Sequence, residues 1–223
     1  MPIVNYKIQT YEYFKHFHAG IDQGELLDYG CNYGTFLNSN NCKLDHCRYT
    51  GIDVDREAID HGRNLFSQAN FVHYNAHNFV YNPGGQQDNR YDFGKKFHTV
   101  ISYSVLTHTS KDDFFQTIEW LYSLLHDGGK LLITYLNVEH TPTLEFFTRK
   151  RIADYGSCDK IHTESFCYLV DNRIETSLRN SNHLLLFFNN KYLAKQLSQY
   201  NFLLLDAPRH IPTCFQSCMV ISK

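Results

Sequence analysis

Long apolar runs are missing from this 223-residue sequence. The longest, LLLFF at Leu184–Phe188, falls far short of the roughly 20 residues that cross a bilayer as a helix. The opening MPIVNYKIQT has no basic stretch followed by an apolar one, so no membrane partner is expected and the chain reads as cytoplasmic. An excess of either charge is missing too. Lys and Arg total 21 against 23 Asp and Glu, scattered along the chain, which leaves no footprint for a long polyanion, and nucleic acid is not an expected partner. No Pro-, Ser- or Gly-rich linker divides the sequence, so residues 1–223 read as one domain with one substantial core. Tightly spaced cysteine pairs are absent as well. The seven cysteines, an odd number without a secretion signal, read as reduced thiols. Cys42 and Cys47 beside His46, and Cys214 and Cys218 near His210, lack the spacing of a zinc knuckle, and no metal site is expected.

What is present is an alternation of short apolar runs with helical periodicity. ELLDY, YTGID, NFVHY, FHTVISY and KLLITY read as five strands. Between them the pattern predicts helices over Tyr33–Asn40, over Arg56–Gln68 with Ile59, Arg63 and Phe66 in register, and over Lys111–Leu125 with Phe114, Ile118, Leu121 and Leu125 on one face. Gly128 in HDGGK is the expected stop of the last helix. Strands separated by helices imply crossovers, and crossovers imply a parallel sheet with helices on both faces. The fold class is α/β, a doubly wound, mostly parallel sheet of about seven strands. KYLAKQLSQY reads as a helix, NFLLLDA and SCMVIS as closing strands; their connection is too short for a helical crossover, so one is antiparallel. Residues 137–189 fit no crossover and read as an insertion after the fifth strand, a lid or acceptor-binding segment with a helix near Thr143–Ala153 and a hairpin turning at Asp171 and Asn172.

The stretch LLDYGCNYGTFL, Leu26–Leu37, bends at two glycines directly after the first strand, where ligands sit in open parallel sheets. A residue without Cβ lets the backbone approach a ligand, and the following turn offers free N–H groups. The dinucleotide fingerprint would need glycines at 32 and 35, which are Asn32 and Thr35. A phosphate loop would need a lysine and a hydroxyl residue where Phe36 and Leu37 stand. Two acids remain to be explained: Asp28, two residues before Gly30, and Asp53, which ends the second strand 19 residues after Gly34. An acid at a strand end suits ribose hydroxyls, and the absence of a phosphate loop suits a ligand with a ribose and a cation. S-adenosylmethionine is such a ligand.

These residues resemble the class I S-adenosylmethionine-dependent methyltransferases, with a Rossmann-like core, over nearly the whole chain. LLDYGCNYGTFL resembles the family's glycine-rich first motif, YTGIDVD its ribose segment, FVHYNAHNF its adenine segment, FHTVISYSVLTH its fourth-strand motif and LLHDGGKLLIT the turn and strand that follow. The resemblance implies cofactor contacts at Asp28, Gly30, Cys31, Asn32, Gly34, Asp53, Val54, Asn75, Ala76 and Ser102. Asn32 replaces the usual middle glycine, and asparagine tolerates the left-handed backbone needed there. Asn75 stands for the usual aspartate facing adenine, whose amino group its carbonyl still accepts. His98 replaces an aspartate that often opens the fourth strand. Asp28 alternatively caps the loop through backbone N–H groups, and Val54 alternatively belongs to the core.

Methyl transfer is an in-line displacement in which alignment supplies most of the acceleration. A base is needed only where the acceptor keeps its proton. His108 is the candidate base, with loop orientation or plain exposure as its other readings; Tyr103, Tyr135 and His140 should border the same cleft. YEYFKHFH places Tyr11, Phe14 and Phe17 on one helical face, either as core or as part of a lid, and further aromatics in the insertion would suit an apolar or cationic acceptor. The expected activity is methylation of an oxygen or nitrogen of a small-molecule acceptor. Methylation of an RNA end or cap nucleotide and a non-catalytic cofactor-binding module are the alternatives, and the oligomeric state is not legible.

Overall fold

Five β-branched or leucine-rich segments pair in parallel and set the frame. The computed structural model describes residues 10–78, 81–86, 90–137, 139, 161–164, 167–170, 185–208 and 216–223. Strands β1 (Leu26–Tyr29), β2 (Tyr49–Asp53), β3 (Asn70–His73), β4 (Phe97–Ser102) and β5 (Leu125–Asn137) stand in the order β3-β2-β1-β4-β5, all parallel. The sheet reverses outward from β1, with β2 on one side and β4 on the other, which makes the carboxyl end of β1 the switch point where such sheets bind ligands.

Helices cover both faces. On one side α1 (Thr10–Phe17) and α2 (Arg56–Leu65) bury Tyr13, Phe14 and Ile59 against Leu26, Ile101 and Val220. Asp55 caps α2 by accepting from the N–H groups of Glu57 and Ala58. On the other side α3 (Lys111–Ser123) buries Phe114, Ile118 and Leu121 over Leu27, Val100 and Leu131, and Ser110 accepts from Asp113 N as its cap. A fourth helix, α4 (Asn190–Gln196), adds Leu193 to the same layer. No helix among the described residues is long and apolar enough to cross a membrane.

Three details differ from the sequence pattern. The stretch 33–40 forms turns rather than a helix, because Gly34 has φ 89° and cannot continue a right-handed one. Helix α3 ends at Ser123, and Leu125 already belongs to β5. Gly128 does adopt a left-handed φ of 79°, but inside β5, at the register shift that separates the Phe97–Leu125 pair from the Thr99–Lys130 pair.

The closing strands follow expectation. The last strand, β10 (Ser217–Ser222), runs antiparallel to both β5 and the preceding strand, β9 (Asn201–Leu205). The insertion adds strands to the sheet. Its described parts are three further strands, β6 (Ile161–Glu164), β7 (Cys167–Val170) and β8 (Leu185–Phe188), paired antiparallel in sequence, with β8 parallel to the end of β5. The sheet thus has ten strands among the described residues. The expected turn at Asp171 and Asn172 lies outside the described residues, between the paired Val170 and Leu185; the expected helix near Thr143–Ala153 also lies outside them.

Candidate active site

At the carboxyl ends of β1, β2 and β4 lies a cleft of about 770 Å³. Its floor is the glycine loop. Gly30 has φ 78°, and a Cβ there would stand 2.1 Å from Val105 Cγ2, so no side chain fits between the loop and the segment after β4. Asn32 takes φ 52° in the same loop, the left-handed conformation that asparagine accommodates better than other side chains.

Asp53 is built into that loop. Its Oδ2 accepts from Asn32 N at 2.7 Å and its Oδ1 from Asp55 N at 2.9 Å, which holds the carboxylate rigidly at the strand end with acceptor capacity left on both oxygens. Burial raises its pKa above the usual carboxylate range, while these N–H bonds act in the opposite direction. The cleft is acidic overall: Asp53, Asp55, Glu57 and Asp113 line it with Arg56 and Arg90.

Of the sequence-predicted cofactor residues, Gly30, Asn32, Asp53, Val54 and Ala76 line the cleft. Asp28, Cys31, Gly34, Asn75 and Ser102 do not. Asp28 is buried beneath the loop and accepts from the Tyr49 hydroxyl at 2.7 Å; burial lifts its pKa to about 7. The side chain of a β1 residue points to one face or the other, and Asp28 points into the α1 and α2 layer, away from the ligand space. Cys31 is buried against the same tyrosine, and burial pushes its thiol pKa up. Gly34 is a backbone hinge packed against Phe71 and Phe66. Asn75 turns to its own loop, where its Oδ1 accepts from Asn82 Nδ2 at 3.0 Å, and Asn82 also donates to the Ala76 carbonyl at 2.8 Å. The Asn75 side chain is thus tied into its own loop. Ser102 ends β4 fully buried.

The expected catalytic group divides in the same way. His108 lies in a 3₁₀ turn, Leu106–His108, and lines the cleft together with Tyr103. Tyr103 is wedged against Tyr13 and Phe14 of α1, ring centroids 5.2 and 6.0 Å away. Tyr135 faces elsewhere: it is 1% exposed and its hydroxyl donates to Asn190 Oδ1 at 2.8 Å. His140 lies outside the described residues. Tyr81, missed from sequence, reaches from the loop after β3 to the His108 ring, 5.7 Å between centroids. Tyr29, Tyr74 and Trp120, also missed, form an aromatic wall beside α3. None of these carries a local signal, since each is placed by tertiary packing. Among the described residues no three His, Cys, Asp or Glu side chains converge to hold a metal ion; His210 and Cys214 lie outside them.

Residues 27–131 match the family model described as "Methyltransferase domain", and they contain β1 through the start of the β5 core. The match spans just under half of the chain. Solved structures share the fold of this chain across almost its full length. An S-adenosylmethionine-dependent methyltransferase from Clostridium acetobutylicum ATCC 824 is 11% identical with a TM-score of 0.59, covering 97% of this chain and 90% of its own. The 1,6-didemethyltoxoflavin-N1-methyltransferase of Burkholderia thailandensis, with bound 1,6-didemethyltoxoflavin and S-adenosylhomocysteine, is 15% identical with a TM-score of 0.56, covering 98% and 78%. Magnesium protoporphyrin IX methyltransferase from Synechocystis PCC 6803, with bound S-adenosylhomocysteine, is 14% identical with a TM-score of 0.56, covering 96% and 82%. At these identities the likeness to the solved structures is one of fold. The cleft itself fits S-adenosylmethionine chemically: a rigid carboxylate for a diol at Asp53, no side chain at Gly30, and apolar side chains at Val54, Ala76 and Val105.

Proposed function

We propose that the cleft binds S-adenosylmethionine and that the chain transfers its methyl group to an oxygen or nitrogen of a small-molecule acceptor. The observation that carries this reading is Asp53, fixed by two backbone N–H groups at the strand end next to a left-handed glycine loop. Asp53 accepts the ribose hydroxyls, Val54 and Ala76 flank the adenine, and the glycine loop admits the amino-acid end. The bound cofactor supplies a methyl group on a sulfonium, already a good leaving group. The protein's task is then alignment, for which loops mounted on a rigid sheet are suited. His108, at the far side of the glycine loop from Asp53, takes the proton of an acceptor that retains it at neutral pH.

Residues 137–189 serve as the acceptor-facing segment in this reading. Their described strands extend the sheet beyond β5, and Phe188 of β8 packs against Phe114 at 4.6 Å and Phe115 at 5.8 Å; none of the described residues of the segment lines the cleft itself. Four acids against two arginines in the cleft favour a small acceptor over an RNA end. The intact loop and ribose acid favour an enzyme over a binding module.

The test is a transfer screen. Purified protein receives methyl-labelled S-adenosylmethionine with either a fractionated metabolite extract or a pool of short RNAs. Label entering a small molecule supports the reading, whereas label confined to RNA would hand the function to the runner-up.

A further inference from the structure

In a doubly wound sheet the chain ordinarily returns from one parallel strand to the next through a helix laid on one face. Between β3 and β4 none of the described residues is helical. The chain instead doubles back on itself after Tyr74, with isolated bridges between Ala76 and Gln86 and between Asn78 and Asn82. Asparagines hold this loop. Asn78 Oδ1 accepts from Tyr81 N at 2.9 Å, the Asn78 and Asn82 backbones exchange hydrogen bonds at 3.0 Å each way, and Asn82 Nδ2 donates to Asn75 Oδ1 and to the Ala76 carbonyl. Gly85 completes it, since a Cβ there would stand 2.3 Å from the Ala76 carbonyl oxygen. Short polar side chains that bond to nearby backbone favour a fixed turn over a helix.

Tyr81 lies in this loop, its backbone held by Asn78. In the sheet β3 and β4 are separated by β2 and β1, so at about 4.8 Å per strand the loop has roughly 14 Å to cross before it meets the segment after β4. It does meet it. The Tyr81 and His108 rings stand edge to face, 5.7 Å between centroids and 90° between planes, and both residues line the cleft. Tyr81 is 62% exposed, so burial in the core does not account for its place. On the other side of the contact His108 ends a 3₁₀ turn whose Leu106 and Thr107 are buried. That turn anchors the His108 backbone, while the imidazole lines the cleft with the Tyr81 ring against it. An edge-to-face contact favours one ring orientation over others.

We propose that Tyr81 is a positioning residue for His108, its ring holding the imidazole in the orientation that takes the acceptor's proton. This rests on the reading of His108 as the base. A reacting group displaced by about 1 Å loses on the order of a hundredfold in rate, so a contact that fixes the ring has a measurable effect. The test is a double-mutant cycle on the full chain, read with methyl-labelled S-adenosylmethionine and the metabolite fraction that takes label in the transfer screen. Tyr81→Ala should lower the rate roughly tenfold, and Tyr81→Phe, which keeps the ring, should restore it to within about twofold. In a His108→Ala background, adding Tyr81→Ala should cost less than about twofold, because a residue acting through the imidazole has nothing left to act on. S-adenosylhomocysteine affinity in calorimetry should stay within about threefold of wild type in each variant. A second measurement needs no acceptor. The His108 ring signals in nuclear magnetic resonance, assigned by their loss in His108→Ala, should move in Tyr81→Ala, where the neighbouring ring current disappears, and stay in place in Tyr81→Phe. Additive losses from the two alanine variants, full turnover in Tyr81→Ala, or an unmoved His108 signal overturns the proposal. So does a tenfold loss of S-adenosylhomocysteine affinity in Tyr81→Ala, which would make Tyr81 a cofactor contact. Normal turnover in His108→Ala, or label entering no small molecule, removes the base reading itself and the positioning role with it.

Discussion

The two ends of the cleft are built differently. At one end, Gly30, Asn32 and Asp53 lie within a short span of sequence and are held largely through backbone conformation and backbone N–H groups. At the opposite end, Ser104, Thr134 and Gln216 come from the loop after β4, β5 and the approach to β10, and side-chain hydrogen bonds tie them together. The first arrangement recognises an invariant part of a ligand and tolerates little change. The second can be altered one side chain at a time.

Asp28 tests whether the buried acid belongs to the glycine-loop end or only supports it. Its pKa of about 7 lies above the ordinary value of 3.8 because burial disfavours the charge. The folded state then holds a proton between those two pH values that the unfolded state releases, so stability falls as pH rises from about 4 to 7. The loss amounts to up to ~4 kcal/mol and is complete above pH 7. Asp28→Asn should abolish this slope in urea melts taken between pH 4 and 8 while leaving cofactor affinity near wild type. A tenfold loss of affinity would return Asp28 to the ligand site.

Gly30→Ala attacks the glycine-loop end directly. Both the left-handed backbone and the 2.1 Å approach to Val105 oppose a methyl group, so a loss of roughly 2–3 kcal/mol in stability is expected, visible as a lowered denaturation midpoint. A variant as stable as wild type would mean that the loop has room the geometry denies. At the other end, His108→Ala should depress turnover about a hundredfold with cofactor affinity unchanged. Normal turnover in that variant would leave alignment alone to carry the chemistry. The smallest effect belongs to Asn75→Leu. With its carbonyl tied to Asn82, cofactor affinity should change by no more than about threefold, and a larger loss would restore it as an adenine contact.

The same division explains what the sequence reveals. Strand runs such as FHTVISY, the α3 face of Phe114, Ile118 and Leu121, and the antiparallel closing strand are written in local periodicity, and the structure contains them. Asp53 and the left-handed Asn32 are legible because strand ends and tight turns restrict residue type locally. Asp28 misleads because sequence shows an acid beside the loop but not which face of β1 it takes. Asn75 misleads because Asn82, seven residues on, competes for its carbonyl. Ser104 and Gln216, 112 residues apart, form a pair that no local pattern announces. That β8 of the insertion pairs with β5 is not legible locally, because the contact joins Asn137 to Phe188 across the whole segment.

The central claim is that Asp53 holds a ribose diol in this cleft. Titration calorimetry with S-adenosylhomocysteine on wild type and Asp53→Ala tests it most directly. A hydrogen-bonded carboxylate contributes roughly 1.5–3 kcal/mol, so the account predicts clear binding by wild type and at least tenfold weaker binding by the variant. Equal affinity in the two proteins would contradict it.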